Sequence, residues 1–291
     1  MSSFVSPLLT GIMSGIIYGL IAVGFVLIYK ATGIFNFAQG QLVVIGTGIS
    51  WSALVSWNLH PVLAIVVSLL IAACLGLGLE RFPMHAMLGQ SLLPQVMVTI
   101  AIGGLLDAIL IYLYGGPWKS YPELLPAGTI TLGQISVAQA QVWASLIALL
   151  IFGGLLLFFR YTKMGLAMRA VAEDTQLGQS LGMGVNRIMS LTWMLATVVA
   201  AMGGILLGYV KGGLGIELTS LGLIAMPAAL VGGMNSIEGT ILGGILIGVA
   251  STLATTYIGR GVGEVFAFII LVVVIFVRPY GLLGLKRIER V

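Results

Sequence analysis

The sequence predicts an all-α polytopic membrane protein of about eight or nine transmembrane helices, some of them short or discontinuous, and three observations predict it. Hydrophobic residues are 59% of the 291 and charged residues only 8%, where soluble domains carry about 25% charged residues, and the mean hydropathy is +1.14. The apolar residues fall in runs of about the length a helix needs to cross a bilayer. Glycines recur every four residues, at 11, 15 and 19 and at 204 and 208, which lets helices approach backbone to backbone. That spacing fits tight packing within the chain or a seam between two chains.

Nine apolar segments are drawn: 8–29, 37–57, 61–79, 96–114, 142–159, 188–210, 218–231, 241–257 and 264–277. The segments 218–231 and 264–277 are short, so tilting, re-entry or extension into their flanks is expected there. No Lys or Arg precedes the first segment, which is long enough to span, so it reads as a helix and not as a signal peptide. With the C-terminus inside, one set of loops carries Lys30, Arg81, Arg160, Lys163, Arg169, Arg187, Arg278, Lys286, Arg287 and Arg290, and the other only Lys119, Lys211 and Arg260. The positive-inside rule then places the C-terminus in the cytoplasm and, with nine spans, the N-terminus outside. The net charge of +4 reports this asymmetry and not a nucleic-acid partner. Cys74, the single cysteine, excludes an internal disulfide and a multi-cysteine metal site.

Between the first two segments lies a polar interruption made of amides, Asn36, Gln39 and Gln41, within 33–46. Asn36 and Gln39 stand three apart, the spacing of a capping box in which Asn36 caps the following helix and Gln39 reaches back to the cap's N–H. Asn235 and Glu238 repeat the pattern ahead of the eighth segment. A helix over 37–57 rises ~30 Å, enough to cross, so the first element is satisfied as a cap. The segment before Asn235 is short, so the second element has room to lie within the membrane and present free N–H groups to an anionic ligand. Membrane depth decides between cap and path.

Asp107 is the one acid well inside an apolar segment. It is either a functional group or a carboxyl hydrogen-bonded to a neighbouring helix. No catalytic constellation is present: His60 and His85 are isolated in loops, and neither a Gly-x-Ser-x-Gly elbow nor a phosphate-binding Gly-x-x-x-x-Gly-Lys loop occurs. An enzyme is not expected.

Two loops are sizeable. The outer one, 115–141, carries the β-prone 129–137, a short hairpin or a surface helix; it serves as a docking surface for an extracytoplasmic partner or as a plain connector. In the cytoplasmic one, 160–187, Met164, Met168, Val171 and Ala172 form a helical stripe continued by Leu177 and Leu181 and stopped by Gly182 and Gly184. Insertion of that helix into a protein groove fits its mixed charges better than a place on the bilayer surface.

Four stretches in order then resemble the branched-chain amino acid ABC transporter permeases of the LivH type: Gly33-Ile-Phe-Asn-Phe-Ala-Gln-Gly-Gln, Met168-Arg-Ala-Val-Ala-Glu-Asp174 followed by Leu181-Gly-Met-Gly-Val, the glycine-rich stretch from Leu230 to Gly244, and Arg278-Pro-Tyr-Gly-Leu-Leu-Gly284. The family commonly has His where Gln39 stands and Glu where Gln41 stands. The resemblance implies a single transmembrane permease domain over 1–291 in the bacterial inner membrane, embedded in lipid and working by alternating access. It implies a homologous second permease, two cytoplasmic ATPase subunits that hold the ATP and Mg, and a periplasmic substrate-binding protein. No cofactor is expected in this chain. The resemblance makes 160–187 the ATPase-coupling loop, with Met168, Glu173, Asp174 and Gly182 on the family's motif. It makes Asn36, Gln39, Gln41, Asp107, Asn235 and Glu238 the candidates for the substrate path. Two alternatives stand beside it: a facilitative channel for a small neutral solute such as urea, and a structural membrane subunit.

Overall fold

The computed structural model describes residues 2–87, 89–115, 117–122, 128–132, 135–173, 175–180, 182–259 and 261–284. All nine predicted segments are helical. In chain order the helices are α1 (Ser2–Thr32), α2 (Gln39–Trp51), α3 (Pro61–Leu79), α4 (Leu92–Tyr114), α5 (Gln139–Tyr161), α6 (Lys163–Glu173), α7 (Thr175–Ser180), α8 (Val185–Lys211), α9 (Leu218–Gly232), α10 (Ile237–Tyr257) and α11 (Val262–Val277). α2 runs on through a π-helical turn, Ser52–Ser56, and α3 through another, Glu80–Met84. Among the described residues, six helices are long and apolar enough to cross a membrane: α1, α3, α4, α5, α8 and α10. α9 and α11 are shorter, as their sequences predict.

Burial separates an axis from a rim. The spanning windows of α1 and α8 are 78% and 72% buried, those of α3, α4 and α5 only 22–28%, so α1 and α8 form the centre and the apolar outer faces of the others are left for lipid. The glycine rows are consumed inside the chain. A methyl group added at Gly15 would stand 2.5 Å from the Gly244 carbonyl oxygen, and one at Gly11 would meet Val249 Cα at 2.8 Å, so α1 and α10 touch backbone to backbone. Gly204 of α8 lies directly on the Val43 carbonyl of α2. Of the two readings of these rows, packing within the chain is the one realised.

Two small sheets mark one end of the bundle. β1 (Lys119–Ser120) pairs with β4 (Gly213–Leu214), and β2 (Thr129–Leu132) pairs with β3 (Ile135–Ala138) as the predicted hairpin. The hairpin rests on the start of α1, where Ser136 N donates to Ser6 Oγ at 3.2 Å. Here Tyr121 packs edge-on to Tyr209, and burial pushes its phenol above the usual tyrosine range, so it stays a neutral donor. α6 and α7 mark the opposite end, and so does the tail: Leu282 N donates to Val231 O at 2.8 Å and Leu283 N to Gly232 O at 3.0 Å. The motif from Arg278 to Gly284 therefore satisfies the last carbonyls of α9. Lys30, Arg81, Arg160, Lys163, Arg169, Arg187 and Arg278 fall at the α6 end and Lys119 and Lys211 at the hairpin end, in the two groups that the loop count separates; Arg260, Lys286, Arg287 and Arg290 lie outside the described residues.

Candidate functional site

α1 ends at Gly33, whose positive φ of 74° turns the chain out of the helix. The chain then enters the bundle so that α2 starts alongside α1 about two turns before its end: Gln39 packs against Gly24, where any side chain would strike its amide. The predicted capping box does not form. α2 opens with Ala38 at the N-cap position and no side chain bonded there. Asn36 closes a local turn instead, its Oδ1 accepting from Ala38 N at 3.1 Å and its Nδ2 donating to Gln39 Oε1 at 3.3 Å. Phe37 N donates to Thr99 Oγ1 of α4 at 3.3 Å, which ties this turn to α4.

Successive residues of a helix point about 100° apart, so the first turn of α2 addresses three neighbours. Gln39 faces α1 and α8, and its Nε2 has no partner. Gly40 faces α9, where a methyl would stand 2.7 Å from Thr219 O. Gln41 faces α4, and its Nε2 donates to Asp107 Oδ2 at 2.9 Å. Asp107 is thus bonded to a neighbouring helix as one of its two readings held, yet Gln41 Oε1 and Asp107 Oδ1 both remain without partners. One turn towards the hairpin, Val44, Leu110 and Tyr114 with Leu214 and Ile216 line a small apolar pocket. Sequence reasoning did not single out Thr99, Gly24, Gly103 or Thr219. Glycines and hydroxyls in spanning segments, at the level of a buried amide, are the signal available.

Asn235 and Glu238 are elsewhere. Both are exposed at the α6 end, and the cap of α10 is Ser236, whose Oγ accepts from Gly239 N at 3.0 Å. Ser236 outcompetes Asn235 because it is the residue in the extended conformation just before the helix, with φ −125° and ψ 114°. Ile237, next to Glu238, lines a second small pocket with Lys30 of α1 and Met168 and Arg169 of α6.

The stripe predicted to enter a partner's groove docks on the chain itself. Met168 and Val171 are buried in the main core, and α6 lies so close to the end of α5 that a methyl at Gly165 would stand 2.5 Å from Phe158 O. Apolar surface is covered by whatever lies nearest, and α5 and α1 are nearer than any partner. Met168 therefore positions α6, while Lys163, Leu166 and Glu173 form its exposed face. Gly182 is exposed with φ 75°; Asp174, Leu181 and the side chain of Leu177 lie outside the described residues. His85 is also less isolated than its loop position implies: its Nδ1 lies 3.4 Å from Glu80 Oε1, and Ser190 Oγ of α8 donates to Glu80 Oε2.

The family described as branched-chain amino acid transport system, permease component, matches residues 8–277. The high-affinity branched-chain amino acid transport system permease protein LivH of Escherichia coli is 30% identical, with 99% of this chain and 98% of that protein covered. The permease protein BraD of the corresponding Pseudomonas aeruginosa system is 30% identical with the same coverage. Neither is described as a urea channel. Among solved structures, PsaBC from Streptococcus pneumoniae in complex with Fab shares the fold, with a TM-score of 0.50, 18% identity, and 94% of this chain and 91% of that chain covered.

Proposed function

We propose, because the chain belongs to the family of branched-chain amino acid transport permeases, that it is the inner-membrane permease subunit of an ATP-driven importer for branched-chain amino acids or a similar small polar solute. One observation carries the reading beyond the family: a polar pair joining α2 to α4, Gln41 and Asp107, keeps two oxygens without partners inside the bundle. A buried acceptor left unpaired costs about 1–3 kcal/mol, which structure alone does not require and which a passing solute offsets. The path runs along the α2–α4 face, with Asn36 and Gln39 holding the entry turn of α2 and with Asn235 and Glu238 at the cytoplasmic mouth.

The subunit does no covalent chemistry and carries no cofactor; ATP and Mg belong to two cytoplasmic ATPase subunits. A homologous second permease completes the path, and a periplasmic binding protein delivers the solute at the hairpin end. The concentration of basic residues at the α6 end supports a cytoplasmic C-terminus. The exposed face of α6 then meets the ATPase. Co-expression with candidate partners tests this assembly: an affinity tag on this chain is expected to retain the second permease and two ATPase copies in detergent. Recovery of the chain alone, conducting solute down a gradient, contradicts it.

A further inference from the structure

Gln41 gives one N–H of its amide to Asp107 Oδ2 at 2.9 Å, and its Oε1 accepts from nothing. Asp107 adds a second oxygen, Oδ1, that accepts from nothing. Glycine at 103 of α4 is what stands nearest this oxygen: a methyl added there would be in ordinary contact with Gln41 Oε1 at 3.4 Å, so no side chain of α4 comes between Oε1 and its surroundings at that position. Three residues beyond each member of the pair, on the same helix faces, stand Val44 and Leu110, which line the apolar pocket with Leu214. Three residues of α-helix rise ~4.5 Å. A molecule that satisfies both places has N–H donors at one end and a compact aliphatic group about 4–5 Å away. An α-amino acid with an aliphatic side chain has that spacing between its amino nitrogen and the end of its side chain.

We propose that Gln41 Oε1 and Asp107 Oδ1 receive the amino group of the transported solute while Val44, Leu110 and Leu214 enclose its aliphatic end, an assignment that rests on the importer reading above. The solute then stands with its side chain towards the hairpin end and its amino group towards the α6 end. Solutes lacking an N–H donor leave both oxygens unpaired and are disfavoured. Solutes lacking an aliphatic group leave the pocket empty.

The test uses the complete complex in proteoliposomes with radiolabelled L-leucine and L-alanine. Asp107→Asn keeps side-chain volume and still accepts from Gln41 Nε2, but presents an NH2 donor in place of the free oxygen. Uptake of both amino acids is expected to fall about tenfold, the worth of one lost hydrogen bond. Leu110→Phe fills the pocket and is expected to lower the ratio of leucine to alanine uptake about tenfold. Gly103→Ala adds a methyl in ordinary contact with Gln41 Oε1, and reduces uptake of both. Unchanged uptake in Asp107→Asn and Gly103→Ala, or an unchanged ratio in Leu110→Phe, overturns the assignment while leaving the importer intact. Absence of uptake by the wild-type complex overturns the importer reading itself.

Discussion

Replacing Gly204 by valine is expected to remove the folded protein from the membrane. The Cβ would land on the Val43 carbonyl of α2 and within 3.0 Å of Thr47 Oγ1, and a backbone carbonyl inside a helix cannot rotate away. The two helices are locked again at Gly46, where a methyl would stand 2.5 Å from the Ala201 carbonyl oxygen, so α2 can yield only by leaving α8 altogether. Overpacking a well-filled core costs about 1–3 kcal/mol, and this contact lies on the axis of the bundle, where both helices are buried. The measurement is the monodisperse size-exclusion peak of the detergent-solubilised chain, which is expected to be lost. Gly154→Val is the comparison: it faces open space on the rim of α5, and its peak is expected to survive. An intact peak for Gly204→Val would mean that α2 and α8 are not packed as described.

The second large effect concerns the exposed face of α6. Leu166→Asp combined with Glu173→Lys changes two side chains that touch nothing in the main core, Leu166 being 60% exposed. The anchors Met168, Val171 and Gly165 are untouched, so the chain is expected to fold and enter the membrane normally. ATPase subunits that co-purify with the wild type are expected to be recovered about tenfold less, since a charge placed at the buried centre of an interface costs on the order of 2 kcal/mol or more. Stimulated ATP hydrolysis falls with them. Undiminished recovery and stimulation would make α6 a surface helix without a coupling role.

These contrasts show what was legible in the sequence. The lengths of the apolar runs located all nine segments, the β-prone 129–137 held the hairpin as one of its two readings, and the loop charges sorted the two ends. Each of those signals is local. Direction was not local: Gln39 and Gln41 read as one amide cluster, yet two residues along a helix turn a side chain through about 200°, and only the packing of α1, α4 and α8 says which neighbour each meets. The cap of α10 went to Ser236 over Asn235 because both types cap well and backbone conformation decides. For the stripe of α6, spacing shows that it is buried but not by what. Asp107 was legible as exceptional; its partner, 66 residues away in sequence, was not.

We propose that this chain moves solute only when partner subunits hydrolyse ATP. Leucine uptake into proteoliposomes holding the complete complex, with the binding protein outside and ATP enclosed, tests it most directly. Accumulation against a gradient, abolished when the enclosed magnesium is chelated, is the predicted result. Uptake that persists after chelation, or that this chain alone supports down a gradient, would contradict it.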